Sequence, residues 1–216
     1  MAEARMRDHW WWRPGWRAGR RTYAFHLTFQ DQPALHRLVA AYQAPLSALD
    51  GLDLIPYRWL HLTLQDVGFT DEVGDADLTA VAGVAAGRLT CAAPIRLTFT
   101  RPVIAPESLR FEVRPAGPLR ALRRALRETI AGVLGHGRVP GREERWVPHV
   151  SIAYSNADGP MEPYARALGG VRSEPVTVTV RGVQLIVLER DDHLYRWATK
   201  ATLPLSATVP GQRPGP

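Results

Sequence analysis

The chain repeats one coarse pattern, and that repetition limits the folds open to it. Thr22 to Phe29 reads as a strand. Asp31 then offers a helix N-cap, with Pro33 in the first turn and Leu35, Leu38, Val39 and Tyr42 following at helical spacing. An apolar strand run around Trp59 to Val67, a helix over Asp75 to Leu89 and a strand over Ile95 to Thr100 complete the first half. The second half runs in the same order. A strand covers Leu109 to Val113, a helix Pro118 to Leu134 (Leu119, Leu122, Leu126, Ile130 and Val133 on one face), and a strand Val147 to Tyr154. A short helix over Glu162 to Leu168 follows, then strands Val176 to Leu188 and Leu194 to Thr202 joined by a turn at Asp191–Asp192. Tyr23 to His61 and Phe111 to His149 are both 38 residues apart (61 − 23 and 149 − 111). The expectation is an α+β protein: a bilobal pseudo-two-fold duplication, each lobe a mainly antiparallel sheet with helices on its outer face, around a central groove.

Corresponding strands of the two halves carry His61-Leu62-Thr63-Leu64 and His149-Val150-Ser151-Ile152. On a strand, residues i and i+2 share a face. Each imidazole therefore projects together with a hydroxyl, while the apolar neighbours turn inward. Two such strands in one pseudo-symmetric molecule put two histidines and two hydroxyls around a cleft. A phosphodiester needs a base to activate a nucleophile and an acid to protonate the departing oxygen, and histidine serves both near neutral pH. The hydroxyls of Thr63 and Ser151 can hold charge on non-bridging oxygens or orient the rings.

The pattern occurs three times in the sequence, against roughly 0.3 expected by chance. The third copy, His26-Leu27-Thr28-Phe29, has no partner motif: the 88-residue offset between His61 and His149 takes His26 to Arg114. His26 is either a satisfied structural histidine or a pocket residue facing the phosphate across from Arg114.

The charge is unevenly placed. Residues 1–21 hold six arginines against Glu3 and Asp8, four of the net six positive charges. With Trp10, Trp11, Trp12 and Trp16 and no strand or helix period, residues 1–20 read as a flexible basic tail. It could stack on bases and pair with phosphates, or dock on the protein's own surface. Residues 21–206 read as the folded two-lobed domain, and 207–216, rich in Pro and Gly, as a disordered tail. The single cysteine, Cys91, excludes an internal disulfide and any multi-cysteine metal site, as suits a reducing cytoplasm. No apolar run is long enough for a membrane span, and the basic N-terminus lacks the apolar stretch of a secretory signal. There is no Gly-x-Ser-x-Gly elbow, no Gly-x-x-x-x-Gly-Lys loop and no His-Glu-x-x-His zinc motif.

With the opening strand Arg21–Phe25, the Trp59-Leu60-His61-Leu62-Thr63-Leu64 block and Pro148-His149-Val150-Ser151-Ile152, the chain from about Arg21 to Leu205 resembles the 2H phosphoesterases, the 2′-5′ RNA ligase-like or LigT-like family. The resemblance implies a bilobal fold with both histidines in a central groove and hydrolysis of 2′,3′-cyclic phosphates. It also implies, in some members, reversible 2′-5′ joining of RNA ends, and no metal or nucleotide cofactor. RNA ends or nucleoside 2′,3′-cyclic phosphates are then the expected partners of a monomer, with no membrane. Tyr154 departs from the pattern: it stands five residues after His149, where many bacterial members carry a basic residue. It could stack on a base or reach phosphate. Arg58 and Arg145, flanking the motif strands, are substitute phosphate partners or plain strand-end charges. Trp59 and Trp146 are groove-edge stackers or core residues, and Tyr23 on the opening strand is a further binding candidate. Alternatives are a phosphodiesterase for a 2′-5′-linked oligonucleotide or another small cyclic phosphate such as that of ADP-ribose, and, in another class, an RNA-end-binding protein without turnover.

Overall fold

In the computed structural model, which describes residues 4–141 and 146–206, the chain runs β1 (Arg5–Met6), β2 (Thr22–Thr28), α1 (Pro33–Leu46), β3 (Leu52–Leu54), β4 (His61–Phe69), α2 (Asp75–Leu89), β5 (Ile95–Phe99), β6 (Val103–Ala105), β7 (Ser108–Glu112), α3 (Ala116–Leu134), β8 (His149–Ser155), β9 (Gly159–Pro160), α4 (Glu162–Gly169), β10 (Val176–Val180), β11 (Gly182–Glu189) and β12 (Arg196–Pro204). Two four-stranded antiparallel sheets dominate, ordered β12-β11-β2-β4 and β3-β8-β7-β6. β5 and β10 form a separate antiparallel pair. The fold is α+β with two lobes, as the sequence pattern leads one to expect.

The lobes are not the two sequence halves. The first sheet takes β2 and β4 from the first half and closes with the C-terminal hairpin β11–β12, and α2 and α3 pack on it. The second takes β3 from the first half, and α1 packs against its β8 and against α4. Each half therefore covers part of the other's sheet. The stretch expected as one strand, Val176 to Leu188, breaks at the exposed Arg181: β10 pairs with β5 and β11 with β2, two different sheets. The helix caps also differ from expectation. α1 starts after Gln32, not Asp31, with no side-chain cap, Pro33 supplying the fixed φ of a first turn.

β2 is buried along nearly its whole length because it is an inner strand covered on both faces. Tyr23, Phe25 and Leu27 join the main core, and Ala24 packs with Ile186 and Leu188 on the opposite face. Tyr23 is thus a core residue rather than a ligand-binding one.

The basic stretch expected as a flexible tail is built into the molecule over residues 4–20. β1 pairs with β9, the Arg7 amide donates to the Pro106 carbonyl (2.6 Å) and the His9 amide to that of Ser155 (2.8 Å). Met6 and Trp10 are buried, and the Trp10 indole N–H donates to Asp53 (2.8 Å). Buried Arg190 donates to the His9 carbonyl and lies against the rings of Trp10, Trp12 and Trp16. Amide bonds to the body and desolvated tryptophan area offset the ordering entropy that a tail without period pays on docking. The expected disordered stretch 207–216 lies outside the described residues. Among those described, no helix is long and apolar enough to cross a membrane.

Candidate active site

The two motif strands meet. β4 is the edge of its sheet, β8 is inside the other, and the two touch. Their registers correspond. In one lobe Thr28 faces His61 and His26 faces Thr63; in the other Glu112 faces His149 and Arg110 faces Ser151. Both ladders then slip by one residue at the same place, between Phe25 and His26 and between Leu109 and Arg110. Each slip inserts an apolar residue, Leu64 or Ile152, just after the motif hydroxyl. A bulge of this kind bends its strand and re-aims the side chains before it. The carbonyls of both inserted residues are held from a helix: Arg123 of α3 donates to that of Leu64, and Gln43 of α1 to that of Ile152 (2.8 Å).

The result is one cavity of about 590 Å³ whose lining includes His61, Thr63, His149, Ser151 and Tyr154. The histidines are held alike. His61 Nδ1 lies 2.8 Å from the Trp59 carbonyl and His149 Nδ1 2.8 Å from that of Val147. A carbonyl only accepts, so Nδ1 carries the hydrogen in both rings and Nε2 is the free nitrogen. Packing around the rings disfavours the charged form. The His61 pKa is lowered to about 4, by desolvation against a smaller opposing effect of the Trp59 carbonyl. That of His149 is lowered too, by desolvation and the nearby Arg110 charge, with Val147 and Glu112 opposing.

His26 stands behind this wall. It is fully buried and stacks on His61 with ring centroids 4.6 Å apart and planes 5° from parallel. Its Nε2 is 3.0 Å from the Thr63 hydroxyl, while its Nδ1 has no partner. The lining of the cavity does not include it. The place corresponding to His26 in the other lobe belongs to Arg110, which does line the cavity, with a buried Nε lacking a partner. Arg114, which the 88-residue offset selects, is exposed, bridges Thr98 and is not part of the lining. The offset fails because the segment joining the first two strands of each lobe differs by four residues: Leu27 faces Leu62 and Phe111 faces Val150. The equal 38-residue spacings match residues that are not equivalent, since Tyr23 faces Gly68.

The remaining candidates fall elsewhere. Arg58 lies over the Trp59 ring (4.4 Å), and both border a separate surface pocket with Trp197. Trp146 donates its indole N–H to the Thr63 carbonyl (3.2 Å) and so supports β4 without reaching the cavity. Arg145 lies outside the described residues. Tyr154 is buried against His9, ring on ring at 4.1 Å, and desolvation raises its phenol pKa, so it presents a neutral hydroxyl.

The sequence pattern missed Arg7, His9, Arg13, Asp66, Glu107, Arg110 and Tyr195, all of which line the cavity. Strand register would have found Arg110. The three N-terminal residues lie in an aperiodic stretch that carries no local signal. Among the described residues, no group of three or more His, Cys, Asp or Glu side chains is placed to hold a metal ion.

The model of the 2′-5′ RNA ligase superfamily matches residues 29–192, which contain both motif strands. The chain belongs to that superfamily, the 2H phosphoesterases. Its fold is shared with TT0787 of Thermus thermophilus (TM-score 0.66, 22% identity, covering 88% of this chain and 100% of that one). It is shared also with E. coli LigT, both complexed with 3′-AMP (0.62, 15%, 87% and 98%) and complexed with NADP+ (0.61, 15%, 87% and 99%). No curated protein sequence matches the chain. As a 2H phosphoesterase it belongs to a family of enzymes.

Proposed function

We propose that this 2H phosphoesterase hydrolyses 2′,3′-cyclic phosphates of RNA-type ends or nucleotides by two-histidine acid–base catalysis that needs no metal. One observation carries the reading: two imidazoles from opposite lobes share a cavity, each locked by its own backbone carbonyl into the tautomer with a free Nε2. His61, which burial keeps neutral near neutral pH, is the base. Its neutral Nε2 takes a proton from water as the water oxygen attacks phosphorus. The P–O bond to one ribose oxygen breaks, and that oxygen takes the proton from Nε2 of His149. His149 reaches this step protonated because the anionic substrate raises its pKa on binding. The hydroxyls of Thr63 and Ser151 and the Arg110 guanidinium hold the non-bridging oxygens, where charge builds up. Reversible 2′-5′ ligation would run the same proton transfers with a ribose hydroxyl in place of water.

Turnover of 2′,3′-cyclic mononucleotides is measured in EDTA for the wild type, His61→Ala and His149→Ala. Each variant is expected to lose at least about a hundredfold in kcat. An inert wild type that still binds RNA ends would replace this reading with that of a binding module, and activity only without EDTA would overturn its metal-free part.

A further inference from the structure

The cavity is larger than one cyclic phosphate requires, and its lining sets three guanidiniums, Arg7, Arg13 and Arg110, against the carboxylates of Asp66 and Glu107. At about 590 Å³ it lies within the range of pockets that enclose ligands of drug size. The reacting groups His61, Thr63, His149, Ser151 and Arg110 account for one part of its wall. Another part is made by the N-terminal segment together with the turn between β6 and β7, from Ala105 to Ser108. Here two further guanidiniums, Arg7 and Arg13, line the space. Arg13 is paired to Glu107 at 2.6 Å. Arg7 is exposed and has no side-chain hydrogen bond or carboxylate partner among the described residues.

Their placement is fixed on several sides. The Arg7 amide is bonded to Pro106, the next strand residue Met6 is buried, and the His9 ring is stacked on Tyr154 and bonded to the Tyr195 hydroxyl at 3.0 Å. Tyr154 and Tyr195 both line the cavity, so the segment and the catalytic wall share side chains. Residues 4–20 lie before the superfamily's matched region, which begins at residue 29. Guanidinium groups recognise phosphate oxygens through paired, charge-assisted hydrogen bonds, and one with no protein partner has its donors available for a ligand.

We propose that this N-terminal segment builds a second anion subsite, in which Arg7 and Arg13 take a further phosphate of a nucleotide whose reacting phosphodiester sits between His61 and His149. The inference rests on the proposed phosphoesterase reading for the position of the reacting group. It makes the preferred ligand a nucleotide with at least one phosphate besides the cyclic one, rather than a bare nucleoside cyclic phosphate.

Binding is read rather than turnover, so that failure here is separable from failure of the catalytic reading. Calorimetry at fixed salt compares adenosine 3′-monophosphate with adenosine 3′,5′-bisphosphate on the full chain. In the wild type the second phosphate is expected to tighten Kd about tenfold or more, the size of a good charge-assisted contact. In Arg7→Ala with Arg13→Ala that gain is expected to fall below about twofold. Should the double variant unfold, Arg7→Ala alone, which removes an exposed side chain with no protein partner, is expected to lose at least half of the gain in binding free energy. Equal affinities in the wild type, or a gain that survives in the variants, would overturn the subsite. The loss of cyclic-nucleotide turnover in His61→Ala is a separate result and stands or falls alone.

Discussion

His26 and His61 lie ring on ring, and only His61 lines the cavity. Burial and the neighbouring His61 push the His26 pKa well below its ordinary value. A neutral His26 can place its Nε2 on the Thr63 hydroxyl and fill the space under His61 without adding charge. Under the proposed mechanism it acts as a positioning residue. His26→Ala opens a void beneath the His61 ring and removes the partner of Thr63. We expect kcat to fall about tenfold, the scale of a small misplacement of catalytic groups, with KM nearly constant. Water entering that void relieves the desolvation of His61. The acid limb of the kcat/KM profile, expected near pH 4 in the wild type, then moves up toward 6.5. An unchanged profile with unchanged kcat would reduce His26 to a core residue. At this scale His61, Thr63, His149 and Ser151 were legible, because the two-residue period of a strand fixes which side chains share a face. Arg110 was hidden by a four-residue difference in loop length that shifts the repeat. Arg58 and Trp59 stayed open between a binding and a structural reading, because closeness to a motif strand in sequence says nothing about which side of the sheet the chain turns toward.

The element that sets the site's geometry is the bulged strand. β4 and β8 bend at the same step after the motif hydroxyl, and in each case a buried side chain on a helix holds the carbonyl of the extra residue. Gln43 serves two carbonyls at once, Ile55 (2.9 Å) and Ile152 (2.8 Å). Gln43→Leu keeps comparable bulk but removes both donors, leaving the Ile55 carbonyl without that partner in an apolar setting. The expected cost is about 1–3 kcal/mol of unfolding free energy, measured by urea titration, with kcat/KM lowered through the relaxed β8 bend. A stability change within about 0.5 kcal/mol would show that the bulge holds its shape unaided. Long periodic elements were legible: α2 begins and ends where the pattern places it, and α3 begins two residues before. The short strands β1, β3 and β9 carry too few residues for a period. The break between β10 and β11 does leave a trace, a change of phase across Arg181-Gly182 from Val176, Val178 and Val180 to Val183, Leu185 and Val187, but a phase change alone does not say that the pairing partner changes with it.

At the scale of the molecule, two lobes with interleaved cores converge on a wall lined with histidine. His9 and His26 are buried, and their pKa values are lowered, that of His9 to about 3, by desolvation first and then by the charges of Arg13 and Arg190. In the unfolded chain both take up a proton near the ordinary value of about 6.5. Above that pH neither state is protonated and the histidines cost nothing. As pH falls below it, the unfolded chain binds protons that the folded chain refuses, so stability drains until the folded pKa is reached. From pH 7 to pH 5 His9 should remove roughly 2 kcal/mol, a sizeable share of the stability of an ordinary domain, and His26 acts in the same direction. Carboxylates with ordinary pKa values near 4 contribute little in this window, while Asp66, whose pKa burial raises, acts in the opposite sense. Urea unfolding at pH 7, 6 and 5 is therefore expected to show a steady loss of free energy. His26→Phe, which cannot be protonated, should show a shallower slope whatever its stability at pH 7. The slope isolates titration from packing: a lost contact shifts the whole curve, whereas only a group that binds protons differently in the two states can tilt it. Equal slopes for variant and wild type would mean that His26 is hydrated enough to titrate in the folded protein, which would contradict its place behind the cavity wall.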